Sequence, residues 1–495
     1  MNTSMIRYIL GYVLKLEALL LMFPCIVAGI YGEKSGMAIL FTALLCLIIG
    51  FAFSAKKPTN TTIYLKEGCI TTALSWIILS IFGALPFVFS GEIPSFTDAL
   101  FEVISGFTTT GASILSDVES LSHCMLFWRS FTHWIGGMGV LVFLLAVIPM
   151  SGGSHVNLMR AESPGPSVGK LVPKLKYTAR ILYIIYFGMT ILEIVLLLAG
   201  KMSLFDSITT AFGTAGTGGF GIKNDSITSY SPYIQWVVTI FMLLFGVNFN
   251  AYYLLFFGSI KQALKVEEVK YYFIIVFASI AIIFINILQT CASAFDALTA
   301  ASFQVASIIT TTGFSTVDFN TWPELSKNIL ILLMFCGACA GSTGGGIKVS
   351  RIIIVIKNLR KELHSYIHPK SVRKIKFEGK PVDHDVVRSI NVYFTTFIVI
   401  FVVSVILVSL EGYDFTTNFT AVLATFNNIG PGLSLVGPTC NFGFFNPLTK
   451  YVLMFDMLAG RLELFPLLIL FHPSIWKELF HSADMHMKKG INRRI

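Results

Sequence analysis

Charge is what this chain most lacks. Only 13% of its 495 residues are Asp, Glu, Lys or Arg, where a soluble domain carries about a quarter. With 55% hydrophobic residues and a mean hydropathy of +0.75, that deficit excludes a soluble globular chain. A polytopic membrane protein remains, with length for roughly ten spans of about 20 residues plus loops. Catalytic apparatus is missing too. There is no Walker-type loop, zinc motif or nucleophile elbow, so any sensitivity to ATP or NAD belongs to a partner. A membrane enzyme needs clustered histidines or carboxylates at membrane depth, and none is evident. The eight cysteines are scattered. Cys336-Gly-Ala-Cys339 has no second pair to complete a metal site and reads as small packing residues in an apolar helix. The first apolar run, Tyr8–Ile30, is long enough to span and no small-residue cleavage site follows it, so no cleavable signal is expected.

The charges that are present alternate along the chain. Basic residues gather at Lys56, Lys57 and Lys66; at Arg160, Lys170, Lys174, Lys176 and Arg180; at Lys261, Lys265 and Lys270; from Arg351 through Arg360, Lys361, Lys370, Arg373, Lys374, Lys376 and Lys380 to Arg388; and at Lys488, Lys489, Arg493 and Arg494. Intervening segments are acidic or neutral, as at Glu92, Asp98, Glu102, Asp117 and Glu119. The positive-inside rule puts the basic loops and both termini in the cytoplasm, which requires an even number of spans. The stretch 351–388 is too long for a simple connection and reads as a docking surface as well.

Two spans come first, at about 8–30 and 36–53. Four units of one pattern follow: span, short amphipathic helix, Gly-bearing hairpin, span. Unit one has spans near 69–90 and 124–149 and a short helix near 96–107; unit two has spans near 181–200 and 232–258 and a short helix from Leu204. Unit three has spans near 271–290 and 328–356, and unit four near 390–410 and 448–471. The domain limits are 1–66, 67–178, 179–269, 270–388 and 389–495. The short helices are too brief to cross a bilayer and fit re-entrant pore helices, which must be buried by protein. Asp98 and Asp206 each precede their hairpin glycine by 13 positions and Asp296 by 17, so the third pore helix is expected to be one turn longer. Unit four lacks the aligned Asp.

The hairpins read Phe107-Thr-Thr-Thr-Gly111-Ala-Ser, Gly216-Thr-Gly-Gly219-Phe-Gly, Ile309-Thr-Thr-Thr-Gly313-Phe-Ser and Phe426-Asn-Asn-Ile-Gly430-Pro-Gly432. One such turn is an ordinary connection. Four after short helices make a ring able to replace a cation's water with backbone carbonyls, which bring no net charge. Glycine allows the positive φ this needs, and the pore-helix C-termini add a partial negative charge. Further on, Gly337-Ala-Cys-Ala-Gly341-Ser-Thr-Gly344-Gly-Gly346-Ile-Lys348 cannot persist as a helix, at about 1 kcal/mol per interior Gly. A loop at that depth must be covered or face a water-filled cavity. Arg461 sits within the apolar run 451–471, and Asp456 and Glu463 are poorly spaced to face it. It is expected to point into the pore, repel a cation and hold loop carbonyls. Arg129, His133 and Trp134 read as a buried polar packing cluster.

These motifs, with Trp134-Ile-Gly-Gly-Met-Gly139 and Leu458-Ala-Gly-Arg-Leu-Glu463, resemble the Trk/Ktr/HKT superfamily of cation transporters, most closely its TrkH type, over nearly the whole chain. The resemblance implies an all-α integral membrane fold of four M1–pore helix–filter–M2 repeats in pseudo-fourfold arrangement, plus two N-terminal transmembrane helices. It implies a homodimer in the inner membrane, gated by a cytoplasmic TrkA-type nucleotide-binding ring. It carries the filter onto Thr109, Thr110 and Gly111; Thr217, Gly218 and Gly219; Thr311, Thr312 and Gly313; and Asn428, Ile429 and Gly430. Glycine in all four units goes with K+ in that superfamily, and Ser in the first with Na+ permeation. Gly221 stands where Ser is common. The Gly-rich loop, with Gly344, Gly345, Gly346 and Lys348, would lie across the pore under the filter and move to open it. K+ is then the transported ion and no organic cofactor is expected. A secondary symporter coupling K+ or Na+ to H+ or Na+ is the alternative, although its units are usually inverted and paired.

Overall fold

A computed structural model describes residues 1–139, 175–258, 260–263, 265–371, 373–475 and 477. The far half of unit one's second span, most of the Arg160–Lys176 basic cluster and the basic tail from Lys488 lie outside the described residues. The fold is all-α and membrane-integral, with a single two-stranded hairpin (Lys376–Phe377 with Lys380–Pro381) among the described residues. Helices Thr3–Tyr31 and Gly36–Ser54 form the leading pair. Four units follow in pseudo-fourfold arrangement.

Each unit opens with a long apolar span: Leu65–Ser90, Leu175–Ala199, Glu267–Ile287 and His384–Val408. Next come the short helices Phe96–Phe107, Leu204–Ala215, Ala294–Ile309 and Phe415–Phe426. The third has 16 residues against 12 in the others, as the spacing predicts. All four start on a side-chain cap. Ser95, Ser203 and Ser293 each accept from the backbone N–H of the Asp three residues on. In unit four Asp414 is itself the cap and accepts from Thr417. The cap lies 16 positions before the hairpin glycine in units one, two and four (95 to 111, 203 to 219, 414 to 430) and 20 in unit three (293 to 313). The missing Asp of unit four is therefore an exchange between cap and third position.

The second spans differ from their expected form. Continuous helices were expected at 232–258 and 448–471. Unit two instead has Pro232–Phe245 and Phe249–Phe257, bent by 92°. Asn248 starts the second piece by accepting from Asn250 N–H (2.8 Å), and Tyr252 Oη donates to Leu244 O (2.6 Å) across the bend. Tyr252 thus serves the break. In unit four Pro447–Arg461 stops where Glu463 and Leu464 take positive φ (60° and 67°), and Phe465–Leu470 resumes the path. Unit three breaks as expected, Glu324–Cys336 giving way to a loop before Val349–Ile367. Cys339 therefore lies in that loop and not in a helix. With the second spans in pieces, six described helices are long and apolar enough to cross a membrane, or seven if the bent pair is one span.

Aromatic clusters lock the units together. Phe127, Phe131, Trp134 and Phe212 join unit one to unit two. Phe335 joins unit three to Phe397, Phe401 and Phe419 of unit four. The leading pair is clipped on by Glu33, in the turn between its helices, which accepts from His123 N–H (2.7 Å), His123 Nδ1 (2.9 Å) and Cys124 N–H (2.9 Å). Burial pushes the Glu33 carboxyl up, but these donors outweigh it and hold it below its usual value. A depressed carboxyl contributes stability above its unfolded pKa, near 4.5, and loses it as pH falls further. Glu33→Ala is therefore expected to melt below the parent protein in detergent at pH 7, with the gap narrowing as the pH drops below 4.5. A gap independent of pH would show that the clip does not act through the carboxylate.

Candidate functional site

The four hairpins repeat one backbone course. Thr109, Thr217, Thr311 and Asn428 all have φ between 53° and 58°, and Gly111, Gly219, Gly313 and Gly430 between 74° and 99°. The first of these positions carries a side chain at a strained angle. It is held by a hydrogen-bond pattern common to all four units. Thr109, Thr217, Thr311 and Asn428 donate N–H to carbonyls three residues back (3.0 to 3.2 Å). Thr110, Gly218, Thr312 and Ile429 donate five residues back, onto the end of the short helix (2.8 to 2.9 Å). Amide hydrogens are thus consumed behind the hairpin. No described donor reaches the carbonyls of the twelve residues 109–111, 217–219, 311–313 and 428–430.

The hairpins close on one another in order. A Cβ on Gly111 would lie 2.0 Å from Gly218 O, one on Gly219 1.9 Å from Thr312 O, one on Gly313 2.0 Å from Ile429 O, and one on Gly430 2.8 Å from Thr110 O. Each glycine therefore abuts the carbonyl before the next unit's glycine, and the fourth returns to the first. Hairpins spread over 322 positions of sequence, from 109 to 430, thus meet in one ring, with the carbonyls of Gly218, Thr312, Ile429 and Thr110 at its contacts. Asn428 fastens the seam by donating to Thr110 Oγ1 and Met457 O (both 2.9 Å).

Behind the ring lies a brace that sequence reasoning only half found. Buried Arg129 pairs with Glu102 (2.6 Å), donates to Gly221 O (2.7 Å) and sits 3.6 Å from the centre of the Phe220 ring. Glu102 also accepts from Ser113 Oγ and Ile114 N–H (both 3.0 Å). Gly221 is anchored here through its carbonyl. His133 bridges Gly106 O (2.7 Å, Nδ1) and Phe220 N–H (3.2 Å, Nε2). Because Nε2 accepts, the proton sits on Nδ1 and the ring is neutral. Glu102 is thus a buried carboxylate that serves as a buttress. Glu102 stands five positions before the end of its own short helix, and its donors Ser113 and Ile114 follow the hairpin glycine.

The Gly-rich loop lies against the hairpins of units three and four. A Cβ on Gly344 would lie 2.9 Å from Thr310 O and one on Gly345 2.6 Å from Asn427 O. Gly345 N–H donates to Thr311 Oγ1 (2.6 Å). Lys348, at φ 81°, turns its ammonium back onto Gly344 O and Gly345 O (3.2 Å to the latter). Arg461 donates to Thr343 O (2.9 Å) of the loop and to Gly136 O (2.5 Å) and Gly137 O (3.0 Å) of unit one. One side chain of unit four thereby ties unit three's loop to unit one. Glu463 pairs with Arg351 instead. Gly344, Gly345, Lys348 and Arg461 are thus brought together, with Gly346 turned back against Gly337.

Four span–short helix–hairpin–span units closing on one carbonyl ring within an apolar helical body define a class, the cation transport proteins. A family model described as "Cation transport protein", TrkH, matches residues 35–478. The chain is 36% identical over 489 residues to the Trk system potassium uptake protein TrkH of Salmonella typhimurium (97% of this chain, 100% of that protein). It is 33% identical over 488 residues to TrkG of Escherichia coli (96% and 100%). The crystal structure of the potassium transporter TrkH from Vibrio parahaemolyticus matches with a TM-score of 0.87 at 32% identity, covering 96% of this chain and 100% of that one. This chain belongs to the TrkH family of cation transport proteins.

Removing one partner of the buried Arg129–Glu102 pair strands a charge, at about 3–5 kcal/mol. Glu102→Ala is expected to cut the yield of folded protein sharply by fluorescence-detected gel filtration, and Glu102→Leu with Arg129→Met to recover much of it. Full yield from the single variant would show that the pair braces nothing.

Proposed function

We propose that this chain takes up potassium across the inner (cytoplasmic) membrane through the carbonyl ring, which acts as a selectivity filter. The observation that carries the reading is the closed cycle of glycine-to-carbonyl contacts, with amide hydrogens bonded behind the hairpins and carbonyls left for an ion. A dehydrated cation needs several oxygens at once, and four units supply them without net charge. Thr109, Thr110, Gly111, Thr217, Gly218, Gly219, Thr311, Thr312, Gly313, Asn428, Ile429 and Gly430 line this filter. Relatives of near-equal length named as potassium uptake proteins support K+ as the ion.

The loop through Gly344, Gly345, Gly346 and Lys348 is the gate, and Arg461 holds it shut while placing a positive charge on the ion's path. The basic segment 351–388 faces the cytoplasm, as do both termini, and receives a TrkA-type nucleotide-binding ring; the protein works as a homodimer. The chain itself catalyses no covalent reaction and uses no organic cofactor.

Rubidium tracer flux into proteoliposomes, with sodium as competitor, tests the filter. A methyl group at Gly313 would overlap Ile429 O at 2.0 Å, so Gly313→Ala is expected to abolish selective flux and potassium-dependent growth rescue in cells lacking their own uptake systems. Rescue at the parent level would defeat the filter reading. Arg461→Ala should raise flux. Losing even one charged-group hydrogen bond of about 1.5 kcal/mol shifts the open-to-closed ratio roughly tenfold. Unchanged flux in the reconstituted variant would remove Arg461 from the gate.

A further inference from the structure

The gate loop rests in a seat built from two other helices, and one carboxylate holds it at both ends. Glu268, two per cent exposed, lies in the first turn of unit three's first span. Its Oε1 accepts Ala340 N–H (2.7 Å) on the entering limb of the loop and Ser350 N–H (3.0 Å) at the start of the helix leaving it. Its Oε2 accepts from Asn248 Nδ2 (3.4 Å). Asn248 stands in the bend of unit two, and the bend meets the loop directly. Cys339 N–H donates to Gly246 O (3.1 Å), Phe249 N–H to Gly341 O (3.0 Å) and Thr343 Oγ1 to Phe245 O (3.3 Å).

The geometry points to Glu268 as a positioning residue for the gate, and to the bend at Gly246–Asn248 as the loop's docking partner. The inference rests on reading 337–348 as a gate. A helix end leaves amides and carbonyls unpaired, and in a membrane they must find protein partners. The break's Gly246 carbonyl takes a loop amide and the loop's Gly341 carbonyl takes an amide of the break, so neither interruption is satisfied alone. Glu268 bridges ten positions of chain, from Ala340 in the loop to Ser350 at the start of the helix leaving it, on a single oxygen. Moving the loop away from the ring must break that oxygen's contact with one limb. It must also uncover the bend, so the half-helix Phe249–Phe257 is mechanically part of the gate.

Glutamine at 268 retains an oxygen for Ala340 and Ser350 while dropping the charge; alanine removes both. In proteoliposomes, Glu268→Ala is expected to raise basal rubidium flux about fivefold or more, with Glu268→Gln returning most of the restraint. Misfolding lowers flux, so a rise separates positioning from a merely structural role. Asn248→Ala opens the seat from its other side and is expected to raise flux in the same direction, which keeps the test alive if Glu268→Ala does not fold. Arg461→Ala runs beside them. If Arg461→Ala raises flux while neither Glu268→Ala nor Asn248→Ala does, the seat is overturned and the gate stands. If all three leave flux unchanged, the gate reading itself has failed. Hydrogen exchange gives an independent readout. Glu268→Ala should speed exchange together at 337–350 and 246–252, and faster exchange at the loop alone would overturn the coupling.

Discussion

The structure depends on one asymmetry in the hairpin backbone. Inside a membrane every amide and carbonyl needs a partner, yet in four places the chain bonds its N–H groups backward and leaves the hairpin C=O groups without a described donor. The strained threonines and asparagine with φ near 55° are how that separation is reached. Each short helix must end at the same depth for the four sets to meet. The ring is closed by contact distances that leave no space for a β-carbon at the glycines, so composition and geometry answer the same constraint.

The four units are alike in course and unlike in support. Unit one is braced by the Glu102–Arg129 pair and His133. Unit four fastens to unit one through Asn428. Units three and four carry the loop beneath them. A buried ion pair adds little net stability over apolar packing, but its geometry fixes which atoms face which. Here it binds a short helix, a second span and the neighbouring hairpin into one rigid wall. The loop beneath units three and four is held by backbone and side-chain hydrogen bonds, from Thr311, Lys348 and Arg461 among others.

All three described interruptions of the second spans, in units two, three and four, lie at the loop or against it. Unit two's bend receives the loop, and unit four stops at Arg461, which reaches both the loop and unit one. Breaks in separate helices thus satisfy one another's backbone groups. On the proposed reading of the loop as a gate, these contacts distribute it over several units.

Much of this was legible from the residues. Periodic apolar runs, four small-polar-glycine hairpins and the Asp-to-glycine spacings marked the units, the four short helices and the longer third, because local chemistry specifies them. The run of glycines after Cys336 marked a broken helix for the same reason. The bend at Gly246–Asn248 did not show, since one glycine two residues before an asparagine breaks a helix only when a partner waits for the freed groups. Glu102 and Glu268 were not legible as braces, because their donors stand on other segments, up to 82 positions away. The sequence by itself determined which segments cross, turn and bear strain. Only the tertiary structure decided that the four hairpins close in a cycle and that one loop is seated by three units, because those contacts join residues that share no local pattern.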